Sequence, residues 1–305
     1  MPRVPGPVEQ LPVSVVIPAY RRADAVRRAV AGVRAQTGAA PAEVIVVDDA
    51  SGDDTADAAR AAGATVLVNA VNRGEGGARN AGIEAATQPW VALLDSDDEW
   101  LPWHLAALWP LRGSHVLVGA ACIGTGAGPS AGRIWGHTGR RPLVLRSPAD
   151  LAWPENVVTP SGALIRRDAM LAAGGFPEHV RAGVDVDGWW RLLEHGTGLA
   201  SPGVSVLYHL HPDQVSAAAE GMRSGHLERH ARYADRPWFD PHLPERFAAV
   251  SAWDRRARGE LARTVLSNPR AATGLARTLA RRARKRRAST RAEAELAARG
   301  IAVRR

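Results

Sequence analysis

The stretch Trp90-Val91-Ala92-Leu93-Leu94-Asp95-Ser96-Asp97-Asp98-Glu99-Trp100 constrains this chain more than any other, because an unbroken apolar run stops abruptly in carboxylates. Continuous apolar residues from Trp90 to Leu94 predict a strand buried on both faces, as in the parallel sheet of an α/β protein, since a strand with one wet face alternates. Ligands of such sheets bind in the crevice beyond the carboxyl ends of the strands, so Asp95 and Asp97 are expected at that crevice, one spacer apart. Carboxylates at this spacing suit a hard cation, Mg²⁺ or Mn²⁺, and leave positions for water and substrate phosphate. Acidic residues after a strand also make solvated loops and helix caps, so the rest of the chain has to discriminate.

The flanking sequence repeats the pattern. Val13 to Ile17 predicts a β-branched strand ending at Pro18-Ala19-Tyr20, and Val26, Val30 and Val33 give the next helix one apolar stripe. Glu43 to Val47 predicts a second buried strand, again ending in carboxylates, Asp48 and Asp49. Ser51 and Asp54 have the spacing of a capping box, opening a helix through Ala62, and Thr65 to Val68 is a third strand. Asn72-Arg73-Gly74-Glu75-Gly76-Gly77 is a Gly-rich loop leading into a helix from Ala78 to Ala86, whose N-terminal amides can face an anion. It is no P-loop, lacking Gly-Lys-Ser/Thr, and it does not follow the first strand as a dinucleotide fingerprint does. Gly124 to Gly128, followed by Pro129, reads as a loop. Farther on, Leu117-Val118, Leu143 to Leu145, Ala163 to Ile165 and Val204 to Tyr208 are short strands, and Asp168 to Ala173 and Asp185 to Leu193 are helices.

Composition limits the function classes. An apolar content of 46% with 23% charged residues fits a globular chain. One cysteine, Cys122, excludes an internal disulfide framework and a Cys-rich zinc site, and agrees with a reducing, cytoplasmic location. The N-terminus lacks an apolar leader, and no run of about 18 apolar residues offers a membrane span. The net charge of +8 is local: residues 255–305 hold 16 Lys+Arg against 3 Asp+Glu, leaving 23 against 28 in residues 1–254. A mildly acidic body with a basic appendage is not a specific nucleic-acid binder.

Taken in order, Val15-Val16-Ile17-Pro18-Ala19-Tyr20, Val46-Val47-Asp48-Asp49-Ala50-Ser51, Asn72-Arg73-Gly74 with Ala78-Arg79-Asn80-Ala81-Gly82, Leu94-Asp95-Ser96-Asp97-Asp98, Gly174-Gly175-Phe176 and Asp185-x-Asp187-x-Trp189-x-Arg191 resemble family 2 of the glycosyltransferases. The resemblance runs from about Val13 to Ser216. It implies a GT-A fold: a Rossmann-like, mostly parallel sheet flanked by helices, followed here by a helical, basic C-terminal extension. The expected organisation is a flexible lead (1–12), a GT-A domain (13–220) with a nucleotide-binding half (13–115) and an acceptor half (116–220), and an Arg-rich helical region (221–305).

By the same resemblance Pro18, Ala19 and Tyr20 line the nucleotide base, Asp49 accepts a hydrogen bond from it, and Asn72, Gly74 and Arg79 help hold the nucleotide. Asp95 faces the ribose and Asp97 binds the divalent metal, Mn²⁺ or Mg²⁺. His211 closes on that metal, with His209 as its rival. The family's catalytic base comes from a Glu-Asp pair opening a helix; here the pair is Val184-Asp185, so Asp185 is the expected general base, with a helix cap as its other reading and Asp187 as the competitor. The activity implied is inverting transfer from a nucleoside-diphosphate sugar to a carbohydrate, lipid-linked or natural-product acceptor. A sugar nucleotidyltransferase and a degenerate, non-catalytic sugar-nucleotide-binding module are the alternatives. The run Arg281 to Arg287, preceded by Leu275 and Leu279, is expected either to be a solvated extension or to dock peripherally on an anionic membrane at its inner face.

Overall fold

A computed structural model of the chain describes residues 8–127, 130–152, 156–180, 183–211, 228–254, 261, 264 and 269–303. Its first half alternates strand and helix: β1 (Glu9–Ala19), α1 (Ala23–Arg34), β2 (Ala39–Asp48), α2 (Thr55–Ala61), β3 (Thr65–Val68), α3 (Gly74–Ala85) and β4 (Trp90–Leu93). The second half adds β5 (Glu99–Trp100), α4 (His104–Leu108), β6 (Leu117–Thr125), β7 (Ile134–Trp135), β8 (Leu143–Leu145), α5 (Ala149–Ala152), β9 (Ala163–Arg166), α6 (Arg167–Ala172), α7 (Val184–Leu193) and β10 (Gly198–His209). Two further helices, α8 (Leu243–Asp254) and α9 (Pro269–Ala298), follow.

One sheet runs in the order β3-β2-β1-β4-β9-β6-β10-β5, with β7 on β6 and β8 on β10. β3, β2, β1 and β4 are mutually parallel. The second half is mixed: β9 is antiparallel to both β4 and β6, whereas β10 is parallel to β6. The chain builds outward from β1 through β2 and β3, then returns to add β4 on the other side of β1, so the order reverses between β1 and β4. That reversal is the switch point at which open α/β sheets place ligands, and the carboxylates after Leu94 stand at its mouth.

Both faces of β1 are covered, which explains the unbroken apolar pattern. Val13, Val15 and Ile17 pack with Val26, Ala29, Val30 and Val33 of α1, while Val16 faces Ala78 and Ile83 of α3 in the cluster that includes Trp189 and Leu192 of α7. Between the halves, Asn80 of α3 makes a two-way clamp on Phe176: its Nδ2 donates to the Phe176 carbonyl at 2.9 Å and its Oδ1 accepts from the Phe176 amide at 2.8 Å. Gly175, at φ 69°, permits the approach, since a Cβ there would lie 2.5 Å from Asn80 Oδ1.

Several expectations change. β1 begins at Glu9, so residues 9–12 are sheet rather than flexible lead, because they pair with Ala39 to Pro41. No capping box forms at Ser51: α2 starts at Thr55 without a side-chain cap. Ala50 takes a positive φ of 60° and turns Ser51 toward β1, where its Oγ bonds Asp48 and accepts from the Arg21 amide at 2.9 Å. β6 and β10 extend well beyond the short runs read from sequence, because they pair with each other along most of their length. The boundary at 220–221 and the end of the Gly124–Gly128 loop lie outside the described residues.

The C-terminal helix is docked on the sheet edge. Ala288, Ala292 and Leu296 of α9 are buried against Leu101, Ile123, Ile134 and Leu207, and the Arg299 guanidinium lies 4.4 Å from the Trp103 ring centroid. Leu275, read as part of an apolar stripe, is buried, and α9 packs along α8. Arg284, Arg286, Arg287 and Arg291 remain exposed. No helix among the described residues is long and apolar enough to cross a membrane.

Candidate active site

Four chain segments meet beyond the carboxyl ends of β1, β2 and β4. At the end of β1, Pro18 and Ala19 are buried and Tyr20 is 43% exposed, with the Arg21 guanidinium 5.2 Å from its ring centroid. Arg21 and Ala50, at the ends of adjacent strands, both hold a positive φ without being glycine. Backbone strain of this kind persists where the surroundings over-determine it and clusters at ligand sites.

Asp49 is buried and spent largely on its own loop. Its Oδ1 accepts from Asn69 Nδ2 at 2.7 Å, and the Arg73 amide bonds both carboxylate oxygens at 2.9 and 3.1 Å. Asn72 donates to the Asp49 carbonyl at 3.1 Å and accepts from the Gly74 amide at 3.2 Å. Asp49, Asn72 and Gly74 therefore fix the entry to α3, and Asp49 itself is only 3% exposed.

The centre is Arg79, which is fully buried. Its Nη2 binds Asp95 Oδ1 at 2.6 Å and also Glu75, one turn back on α3. Burial lowers its pKa, but Asp95 and Glu75 outweigh that and hold the guanidinium charged beyond the ordinary arginine value. Arg79 Nε and Nη1 are buried without a hydrogen-bond partner among the described residues.

The three aspartates after β4 diverge. Asp95 reaches Arg79. Asp97 Oδ2 meets His211 Nε2 at 2.7 Å, with a quarter of the Asp97 side chain exposed. Asp98 turns inward: its Oδ2 accepts from Ser161 Oγ at 2.5 Å and its Oδ1 from the His209 amide at 3.2 Å. Burial, then the charges of Asp95 and Asp97, push the Asp98 carboxyl well above its usual range. Ser161 also accepts from the Asp95 amide at 3.1 Å, so one hydroxyl ties the β4 turn to the segment entering β9. Of the two histidines after β10, His211 is at Asp97, whereas His209 Nε2 lies 3.6 Å from Glu99 Oε2.

Asp185 opens α7. The N-cap position falls on Gly183, which makes no side-chain cap, so Asp185 is not serving as the cap. Asn156 Nδ2 donates to Asp185 Oδ2 at 2.6 Å. Burial raises the Asp185 pKa; Arg79 and Arg229 oppose the rise and Asp95 adds to it. Asp187 is fully buried and consumed by Arg191 Nε at 3.0 Å, Tyr233 Oη at 2.7 Å and Arg232, so it is a packing residue. Val184 is buried beside Gly76. Trp100, Trp189 and Trp190 are core residues.

Asp97 and His211 put a hard oxygen and an imidazole nitrogen at one point, a donor pair suited to Mn²⁺ or Mg²⁺. Among the described residues no cluster of three His, Cys, Asp or Glu forms. Sequence reasoning missed Glu75, Asn156 and Ser161. Only Glu75 left a signal, an acidic residue four positions before Arg79. A hollow of about 540 Å³ at the opposite end of β4 includes Arg112, Arg166 and Arg167, but these bond Trp109, Asp168 and the carbonyls of Ile83 and Glu84.

Residues 14–172 match the family model described as glycosyl transferase family 2, a span ending before Asp185 and His211. The chain is 33% identical over 233 residues to the pre-mycofactocin glycosyltransferase of Mycobacterium tuberculosis, covering 70% of this chain and 46% of that protein. It is 30% identical over 200 residues to the glycosyltransferase AglE of Haloferax volcanii, covering 61% and 63%. The chain thus spans less than half the length of the first of these relatives. Among solved structures, S. aureus TarS in complex with UDP-GlcNAc aligns at TM-score 0.58 and 15% identity over 84% of this chain and 73% of that one. The mannosyltransferase PcManGT of Pyrobaculum calidifontis, in complex with GDP-Man and Mn²⁺, aligns at TM-score 0.58 and 23% identity over 91% and 82%. At those identities the likeness is one of fold, the GT-A arrangement of a central sheet flanked by helices. The family match over more than half the chain settles the kinship: this protein belongs to glycosyl transferase family 2.

Proposed function

We propose that the chain moves a sugar from a nucleoside-diphosphate sugar to an acceptor hydroxyl with inversion of configuration, and that Asp185 is the general base. The observation that carries this reading is the placement of Asp185: partly buried at the crevice, oriented by Asn156, raised in pKa, and in the field of the arginine that binds Asp95. A base must be both reachable and more basic than a free carboxylate, and Asp187 is neither exposed nor unpartnered.

The residues divide the work. Pro18, Ala19 and Tyr20 border the base of the nucleotide, Asp49 presents its remaining acceptor capacity to it, and Asp95 meets the ribose. Asp97 and His211 would hold a divalent cation, which when bound would supply positive charge against the departing diphosphate. Asp185 takes the hydroxyl proton of the acceptor as the new bond forms on the face of the anomeric carbon opposite the breaking one. Carbohydrate, lipid-linked and natural-product acceptors all fit this chemistry. For α9 we propose a salt-reversible contact with an anionic membrane surface on the cytoplasmic side, carried by charge alone, because Leu275 and Leu296 are already buried in the protein.

A thermal-shift screen of nucleoside diphosphates and sugar nucleotides, with and without Mn²⁺, tests the donor and metal reading. A nucleotide at a hundredfold excess over its Kd stabilises by about 2.7 kcal/mol. Asp97→Ala should remove the Mn²⁺ dependence of that shift and abolish transfer, and His211→Ala should weaken the preference for Mn²⁺ over Mg²⁺. Full activity in excess chelator would overturn the metal assignment.

A further inference from the structure

Glu75 is the carboxylate at the crevice that the mechanism above leaves unused. It lies in the first turn of α3, and one of its oxygens binds Arg79 Nη2, the nitrogen that also holds Asp95. A single buried guanidinium thus sets Glu75 and Asp95 side by side. The turn itself is pinned: a Cβ on Gly76 would stand 2.3 Å from the Pro177 carbonyl and 3.2 Å from Val184 Cγ1, which places Glu75 close to the start of α7. Burial raises its pKa, Arg79 opposes, and the charges of Asp95 and Asp185 push it up further.

The pair carries unspent hydrogen-bonding capacity of both kinds. Glu75 has one oxygen on Arg79 and keeps 41% of its side chain exposed, while Arg79 Nε and Nη1 have no partner among the described residues. A buried guanidinium with two nitrogens unsatisfied is costly and calls for an explanation. A hydroxyl group can donate to the oxygen of Glu75 that Arg79 leaves free. On the donor reading above, on which this inference rests, the transferred sugar lies between the ribose at Asp95 and the base at Asp185. Glu75 shares Arg79 with Asp95 and lies by the start of the helix that carries Asp185.

We propose that Glu75 is a specificity-determining residue that accepts a hydrogen bond from a hydroxyl of the transferred sugar. It recognises the sugar and not the nucleotide, and Arg79 fixes its position.

The test separates the sugar from the nucleotide. The full chain, Glu75→Ala and the isosteric Glu75→Gln are titrated calorimetrically, in the presence of Mn²⁺, with UDP, GDP and dTDP and with UDP-GlcNAc, UDP-glucose, GDP-mannose and dTDP-glucose. Circular dichroism melts confirm folding, and the Gln variant preserves size should Ala disturb α3. Expected is that nucleoside diphosphate affinity stays unchanged while the matching sugar nucleotide binds about tenfold more weakly to Glu75→Ala, the loss of one hydrogen bond to a charged group, and is weakened less in Glu75→Gln, whose amide oxygen still accepts without the charge. Equal weakening of nucleotide and sugar nucleotide would mean that Glu75 acts only through Arg79, and no change in either would leave it a helix-surface partner; either result overturns the proposal. If the unaltered chain binds none of the seven, the donor reading itself fails and takes this inference with it. Sugar-nucleotide binding that is intact but indifferent to Glu75 overturns this inference alone.

Discussion

Replacing Asp185 by Asn separates catalysis from architecture. The amide oxygen still accepts from Asn156 Nδ2, which sits 2.6 Å from the carboxylate, so the local geometry survives, but the group no longer takes a proton. Loss of a general base costs on the order of 10²- to 10⁴-fold in kcat, or about 2.7–5.5 kcal/mol of barrier. The stability effect has the opposite sign. A carboxyl whose pKa is raised by burial is one whose charge the fold disfavours, so removing the charge at neutral pH leaves the melting temperature level or higher. Were Asp185 a staple instead, a lost charge-assisted bond of about 1.5–3 kcal/mol would lower the melting temperature by several degrees. The assay is release of nucleoside diphosphate from the donor found by the binding screen, with water or an acceptor extract as the receiving hydroxyl, followed across pH. The acid limb of the unaltered enzyme should lie above the ordinary aspartate value of about 3.9, because the deprotonated form is required. An Asp185→Asn protein with undiminished turnover, or one whose activity falls only in step with its folded fraction, refutes the assignment.

His104 is fully buried on the Trp100 ring, with centroids 4.2 Å apart, and burial lowers its pKa to about 3. The unfolded chain protonates first, so this residue should withdraw stability as pH falls from about 6.5 toward 3, by up to about 1.4 kcal/mol per pH unit. His104→Gln, which keeps a bond to Ser205, should flatten the urea midpoint between pH 7 and 4.5, and an unchanged slope would contradict the assignment. For α9, vesicles of anionic and of neutral lipid are sedimented with the full chain and with Arg284, Arg286, Arg287 and Arg291 all changed to Gln. Binding that requires anionic lipid, fades with salt and is lost in the variant is expected, and equal sedimentation of the two proteins would reduce α9 to a structural helix.

What the sequence disclosed was whatever burial on two faces writes into it. Val13 to Ile17, Glu43 to Val47 and Trp90 to Leu94 could be read as strands because helices cover both sides of the sheet, and their carboxyl ends marked the crevice in advance. β10 was harder: Ser201-Pro202-Gly203 interrupts its apolar pattern, and only its pairing with β6 carries the strand through that irregularity. The same limit applies at the site. Asp95, Asp97 and Asp98 look alike on paper, and which one turns inward depends on Ser161, 63 positions beyond Asp98. Asn156 carries no motif, because its role is defined by a partner on another element. The Ser51 capping box failed for a related reason, since its hydroxyl is claimed by the Arg21 amide across the sheet.

The Asn80 clamp on Phe176 has a consequence for motion. Two reciprocal hydrogen bonds, with no room for a Cβ at Gly175, lock α3 to the acceptor half, and β4 and β9 continue the sheet across the same boundary. Hinge closure of one half upon the other would have to break all of these together. Any opening and shutting around a ligand would then fall to loops at the rim rather than to rotation of one half upon the other.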